Sequence, residues 1–326
     1  MIGEGGLPLV SVELVSKQFE VRGGLLRKAV LKAVENVSFD IARGETLGLV
    51  GESGSGKSTL GRVIVNLLKA NSGSVTVAGQ SVAALKGAAR RSLWRHAQMV
   101  FQDPFSSLNP RMTIRDALAE PLRNFEIAEG AAADAMIRKA LDDCGMGAQA
   151  MARYPQEFSG GQRQRIGIAR ALILRPDFIV ADEPVSALDV SIQAQIVNLL
   201  QDLQVEYRLT YLFIAHDLAV VRHIADRVAV MYMGRLVEIA GSRELYQRPA
   251  HPYTQLLLSS IPIPDPKREA ERVRLRSSVD TSSASPSKTG CPFSTRCPRA
   301  QFPRCGEEEP ALRPISDGHL AACHFA

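Results

Sequence analysis

The sequence predicts an α/β fold: a parallel sheet with helical crossovers, an antiparallel β subdomain before it, a helical subdomain inserted in it and a small cysteine-containing extension after it. Three features carry this reading. Strand-like and helix-like segments alternate at 177–181, 192–207, 210–215 and 227–231, the pattern of parallel strands joined by crossovers. The octapeptide Gly51-Glu52-Ser53-Gly54-Ser55-Gly56-Lys57-Ser58 lies between an apolar stretch at 46–50 and a helix-like one at 59–68. It fits G-x-x-x-x-G-K-[ST], a loop whose backbone N–H groups close around phosphate oxygens at a helix N-terminus. A further apolar strand, 178–181, ends in the carboxylates Asp182 and Glu183.

Residues 10–20 alternate like an edge strand, a Gly- and Lys/Arg-bearing loop follows at 22–28, and 34–41 alternate again, which reads as antiparallel pairing. Segments 74–77 and 80–82 flank Gly79 as a hairpin candidate. From about 104 to 170 the composition turns helical and Ala-rich, as at 130–144, and predicts the helical subdomain. After about 240 the pattern breaks, and Pro249, Pro252, Pro262, Pro264 and Pro266 accumulate. The domain boundary is therefore expected there, with 1–240 as one unit and 241–326 as the extension. Residues 277–289 are rich in Ser and Thr and read as a flexible linker. The segment 267–276 holds five basic and two acidic residues and reads as a solvated helical face, with contact to lipid headgroups or a partner as the sharper alternative.

The chain has 326 residues, enough for about two domains, and 45% hydrophobic content, enough for a sizeable core. Its net charge of +5 is a mild basic excess, compatible with anionic ligands and no nucleic-acid signature in itself. No apolar run approaches the roughly 18 residues of a membrane span, and residues 1–6 do not open a signal peptide. The expectation is a cytoplasmic protein that meets a membrane only through a partner. Four of the five cysteines, Cys291, Cys297, Cys305 and Cys323, crowd into residues 291–326, which in a reducing compartment points to metal rather than disulfides. Cys144 stands apart as an ordinary core residue.

The motifs combine into one chemistry. Lys57 can reach the β- and γ-phosphates of a nucleotide, and the Ser58 hydroxyl can ligate Mg²⁺. Asp182 can hold that Mg²⁺ directly or through water, while Glu183 polarises the water that attacks the γ-phosphate. Alone, the acidic pair would mean a helix cap, since Ser186 and Asp189 follow; the upstream phosphate loop decides for catalysis. Ser159-Gly160-Gly161-Gln162 precedes a helical run at 163–172 and forms a second anion-binding helix N-terminus. Two phosphate-gripping elements suggest a nucleotide held from two sides. Gln102 and His216 each follow an apolar strand; the first could reach Mg²⁺ or the attacking water, the second the γ-phosphate. Either one alone would be a satisfied polar residue at a strand end.

In order and approximate spacing, residues 51–59, Gln102, 159–162, Asp182-Glu183, Ser186-Ala187-Leu188-Asp189 and His216 resemble the motifs of ATP-binding-cassette (ABC) ATPases, over roughly residues 10–240. The resemblance implies two cassettes closing head to tail around two ATP. It assigns ATP binding to Gly51, Glu52, Ser53, Gly54, Ser55, Gly56, Lys57, Ser58 and Thr59, and Mg²⁺ to Ser58, Gln102 and Asp182. Ser159, Gly160, Gly161 and Gln162 would meet the γ-phosphate held by the opposite cassette, and Asp189 would make the inter-cassette contact. Glu183 would be the catalytic carboxylate, with His216 as the γ-phosphate switch and Gln102 in the loop facing the membrane subunit. Phe19 would stack on adenine where these proteins usually have Tyr. Phe158 stands where many cassettes have Leu and keeps the apolar role.

Gln102–Arg111, Asp182–Gln195, His251-Pro252-Tyr253-Thr254 and Cys291-Pro292-Phe293 with Arg296-Cys297-Pro298 resemble the peptide-importer subfamily, closer to the second of its two ATPases. This extends the resemblance to nearly the whole chain. It implies an ATPase subunit that powers uptake of di- or oligopeptides, nickel chelates, opines or glycosides. The implied partners are a second ABC ATPase (a heterodimer, or else a homodimer), two membrane permeases and an extracytoplasmic solute-binding protein. No nucleic acid is implied, and the location is peripheral, on the cytoplasmic face of the membrane. Two other readings stay open from the residues: an ABC exporter or soluble ABC protein, and an ATP-binding regulatory subunit without turnover.

The tail spacing is C-x5-C-x7-C-x17-C, without a C-x2-C knuckle. Four thiolates could bind Zn²⁺, hold an iron–sulfur cluster or remain free. The subfamily resemblance favours a 4Fe-4S cluster, with Zn²⁺ as the alternative. Its expected role is structural: outside the ATP site, holding a tail with few other anchors, so that its loss spares ATP hydrolysis.

Overall fold

A computed structural model describes residues 7–23, 27–103, 108–261 and 289–326. Residues 24–26 of the basic loop, 104–107 of the Gln102–Arg111 stretch, the basic segment 267–276 and residues 277–288 of the Ser/Thr stretch lie outside them.

The N-terminal part is an antiparallel sheet. Strand β1 (Val10–Gly23) pairs with β2 (Arg27–Ile41) from Val10↔Ile41 to Gly23↔Arg27, longer than the two alternating runs predict. A register irregularity between Val12 and Val15 bends β1, and Leu14 there has φ 48°. On its other side β1 pairs with β4 (Ser72–Val77), which turns into β5 (Gln80–Ser81) around Gly79, the expected hairpin.

The second sheet has eight strands among the described residues, in the order β11 (Arg313–Ser316), β12 (His319–Ala321), β10 (Arg235–Gly241), β9 (Arg227–Tyr232), β3 (Thr46–Val50), β8 (Thr210–Ala215), β7 (Phe178–Asp182) and β6 (Ala97–Val100). Strand β3 (Thr46–Val50) lies between β8 (Thr210–Ala215) and β9 (Arg227–Tyr232), parallel to both. Beyond β8 come β7 (Phe178–Asp182) and β6 (Ala97–Val100), also parallel. Strands β3, β7 and β8 are buried at every residue, as near-continuous apolar strands covered on both faces must be. Their side chains alternate between two cores. Phe178 and Val180 pack with the antiparallel sheet, while Ile179 and Ala181 pack with the helices of the other face. Sequence reading missed helix α2 (Gly87–His96) and the full length of β6, because only Leu93 of α2 and only the two ends of β6 are buried.

The helical subdomain holds α3 (Ile114–Asn124), capped by Thr113, α4 (Gly130–Asp143) and α5 (Gly160–Leu172). Then α6 (Val190–Tyr207) crosses from β7 to β8, and α7 (Leu218–Ile224) crosses from β8 to β9.

Among the described residues after 241, Leu245, Tyr253, Leu258, Cys291 and Phe293 belong to the main core. Strand β10 (Arg235–Gly241) is followed by α8 (Ser242–Gln247) and α9 (Pro252–Ser259). The tail supplies α10 (Arg304–Glu307), β11 (Arg313–Ser316) and β12 (His319–Ala321), and β12 pairs antiparallel with β10. Cys291 and Phe293 join the main core. The expectation of few anchors besides the cysteines is therefore corrected. The Glu238 carboxylate on β10, fully buried, accepts from the N–H groups of Ala250 (2.8 Å) and His251 (2.9 Å) and from His319 Nε2 (2.7 Å). A buried carboxylate with three donors ties β10, α9 and β12 together.

Candidate functional site

The carboxyl ends of parallel strands β3, β6, β7 and β8 lie on one edge of the sheet, where open α/β sheets bind their ligands. A cleft of about 1280 Å³ opens there. Its lining includes Phe19, Ser53, Gly54, Gly56, Lys57, Ser58, Thr59, Gln102, Glu183 and His216, which sequence reading placed in one site.

β3 runs straight into the phosphate loop, and the loop into α1 (Lys57–Ile64). Gly56 has φ 102°, and a Cβ there would fall 2.0 Å from the Ala33 carbonyl oxygen, so only glycine lets the loop pass β2. Gly51, Glu52 and Ser55 shape the loop without lining the cleft. Lys57 is 4% exposed, and its Nζ donates to the carbonyl oxygens of Gly51 (2.7 Å) and Glu52 (3.0 Å). Burial holds its pKa below the ordinary lysine range, opposed by Glu183, Asp182 and Glu52.

Behind the loop, Ser58 Oγ donates to Asp182 Oδ1 at 2.6 Å. Burial raises the Asp182 carboxyl's pKa, and the Ser58 hydrogen bond opposes that. A half-buried hydroxyl at the cleft against a buried carboxylate is the oxygen donor set a hard cation such as Mg²⁺ takes.

Glu183 sits one residue further, with φ 45°, a left-handed conformation uncommon outside glycine. Its N–H donates to the Ile214 carbonyl (3.0 Å), and its own carbonyl accepts from Ser186 N (3.2 Å) and Oγ (3.1 Å), which hold the strained turn. The carboxylate meets Gln102 Nε2, which donates at 2.9 Å, and His216 Nδ1 at 3.4 Å, both on Oε2. Gln102 thus engages the catalytic candidate through its amide nitrogen. Phe19 is half-buried at the cleft, with Lys17 Nζ 5.2 Å from its ring centroid.

Ser159, Gly160, Gly161, Gln162 and Asp189 do not line this cleft. Ser159 caps α5 in a capping box: its hydroxyl accepts from Gln162 N (3.3 Å) and Gln162 Oε1 accepts from Ser159 N (3.0 Å). Asp189 caps α6 by accepting from Ile192 N at 3.0 Å, which holds its pKa down. A Cβ on Gly161 would come within 2.5 Å of Ile192 Cγ2, so the two caps stand side by side.

Sequence reading missed the tail's part in the cleft. Thr289, Gly290, Pro292 and Glu309 line it. Arg235 pairs with Glu35 (2.9 Å) and with Glu309. Arg296 forms a two-pronged pair with Glu52 of the phosphate loop, and the Tyr253 hydroxyl accepts from Glu52 N. These partners lie 201 and 244 residues from Glu52, and no local pattern announces them.

Cys291, Cys297, Cys305 and Cys323 line a separate small cavity with His251 and Arg299. Burial pushes the Cys291 thiol up to about 11 and raises that of Cys297. His251 Nδ1 accepts from Tyr253 N at 3.0 Å, which requires neutral imidazole, and burial lowers its pKa to about 4. Among the described residues no three His, Cys, Asp or Glu form a group that could hold a metal ion, so neither the expected 4Fe-4S cluster nor Zn²⁺ is borne out. Among the described residues, no helix is long and apolar enough to cross a membrane.

Residues 34–186 match the family model "ABC transporter", and residues 237–305 match "Oligopeptide/dipeptide transporter, C-terminal region". The oligopeptide transport ATP-binding protein AppF of Bacillus subtilis is 49% identical over 314 residues, 95% of each chain. Among solved structures, the dimeric ATP-binding cassette MJ0796 in a post-hydrolysis state, bound to ADP and Pi, is 28% identical. It superposes with a TM-score of 0.65 over 72% of this chain and 99% of that one. The cbiO1 protein of Clostridium perfringens, part of the ABC transporter complex cbiONQ, has a TM-score of 0.66 over 81% of this chain and 99% of that one, at 23% identity. That likeness is one of fold.

Proposed function

The chain belongs to the ABC transporter ATPases with an oligopeptide/dipeptide-type C-terminal region, and we propose that it powers peptide uptake by hydrolysing ATP in the cleft at the ends of β3, β6, β7 and β8. The observation that carries this is Glu183, held in a strained turn beside the phosphate loop with Gln102 and His216 on one carboxylate oxygen. The loop N–H groups and Lys57 hold the phosphates. Ser58 and Asp182 would hold Mg²⁺, which supplies positive charge against the phosphate oxygens when bound. Glu183 accepts a hydrogen bond from the attacking water and aligns it with the γ-phosphate, and His216 donates to that phosphate. Phe19 receives the adenine.

The signature caps at Ser159 and Asp189 stand outside this cleft, which supports their serving the site of a facing cassette. MJ0796 is a dimer, which supports the same sandwich. The partner is a second ABC ATPase or a second copy, the cassette docks on two permeases fed by a solute-binding protein, and it works at the cytoplasmic face of the membrane. The cassette spans 1–240 and the oligopeptide-type extension 241–326. Within that extension, the four thiols around one cavity support a 4Fe-4S cluster. The Gln301 N–H donates to Cys305 Sγ at 3.4 Å, a contact that also suits a cluster-bound sulfur.

Glu183→Gln tests the ATPase reading. In the assembled transporter it is expected to keep ATP binding and to lose turnover by about two orders of magnitude or more. Near-normal turnover would refute the assignment of Glu183.

A further inference from the structure

The tail grips the phosphate loop at one residue, Glu52. Arg296 Nη1 and Nη2 donate to the two carboxylate oxygens of Glu52 at 3.1 and 3.0 Å. The Tyr253 hydroxyl accepts from the backbone N–H of the same residue at 2.9 Å. Glu52 in turn offers its carbonyl to Lys57 Nζ at 3.0 Å. One residue therefore joins the tail, α9 and the phosphate-binding lysine.

The arginine is itself placed. Its side chain is 14% exposed, and its guanidinium carbon lies 5.9 Å from the Tyr232 ring centroid and 5.8 Å from that of Phe293. Tyr232, Tyr253 and Phe293 pack with centroids 4.6 to 5.4 Å apart. A planar fork fixed against aromatic rings and matched to both oxygens of one carboxylate has lost little freedom in forming that pair. An exposed ion pair on a mobile side chain would be worth little; this one is fixed on the arginine side and sits on the loop that must meet phosphate.

We propose that Arg296 is a positioning residue of the nucleotide site: by clamping Glu52 it fixes the backbone of the phosphate loop and the start point of Lys57, so nucleotide affinity depends on the tail. The inference rests on the cleft being the ATP site. It also revises the expectation that changes in the tail spare the cassette. Arg296 directly precedes Cys297, and Phe293 lines the thiol cavity, so whatever fixes the cysteines fixes the clamp.

The test uses the full chain and MgATP titrated by calorimetry, below the melting temperature of each variant. Glu52→Gln and Arg296→Gln are each expected to raise Kd about threefold to thirtyfold, and the double variant no more than the larger single. Arg296→Lys keeps the charge but loses the fork and is expected to fall between wild type and Arg296→Gln. Lys57→Ala is expected to weaken binding more than either. Kd within twofold of wild type for both single Gln variants, beside a weakened Lys57→Ala, overturns the clamp. Fully additive losses in the double variant overturn it too. Unchanged binding by Lys57→Ala would instead bring down the ATP-site reading, and the clamp with it.

Discussion

On one side of the eight-stranded sheet, β7, β8 and β3 are buried along their whole length, and each runs directly into a candidate site residue: Glu183, His216 or the phosphate loop. At the other end, β12 has three residues and meets β10 through Glu238↔Ala321 and Ile239↔Leu320. The first end is built from contiguous sequence, so motif and position come together. The second is built from contacts between residues far apart in the chain, such as Glu238 with His319 and Glu52 with Arg296. Yet both ends meet in the cleft, where Thr289 and Glu309 face the same space as Lys57 and Glu183. Proximity in sequence to a phosphate loop is thus no guide to which residues shape it.

The largest effect that would sharpen this contrast concerns the cysteines. On the proposed cluster reading, protein purified without oxygen is expected to be brown with about four iron per chain, and serine at any one of Cys291, Cys297, Cys305 or Cys323 to bleach it, while Cys144→Ser leaves it unchanged. Stoichiometric zinc without iron would replace the cluster by a zinc site; neither metal would leave the tail to its protein contacts alone.

Those contacts have their own test at Glu238. Glu238→Ala leaves three donors, His319 Nε2 among them, facing a buried void. It is expected to cost about 3 kcal/mol in denaturant unfolding and to expose the tail to proteolysis before the cassette. A loss below about 1 kcal/mol with the tail still protected would mean that strand pairing and the aromatic cluster suffice.

The cassette end was legible because its signals are local. A five-residue strand carrying Leu47, Leu49 and Val50, a glycine-rich loop and a helix are one continuous stretch at 46–64, and the carboxylate pair ends its own strand. The tail strands were not legible, since β11 and β12 are four and three residues long and only His319 and Ala321 among them are buried. Helix α2 escaped for the same reason, offering one buried residue, Leu93. Arg296 belongs to the tripeptide Arg296-Cys297-Pro298, and nothing in that tripeptide says which carboxylate it meets. Glu52 belongs to the phosphate loop by sequence; its side chain pairs with Arg296 of the tail.

The central claim, that the tail shapes the phosphate loop, is tested most directly by amide hydrogen exchange on nucleotide-free protein. Arg296→Gln is expected to speed exchange about threefold to tenfold across residues 52–57 and to leave strand β3 at its wild-type protection, as a local loosening would. Unchanged exchange in the loop, or an equal rise in β3, would contradict the claim.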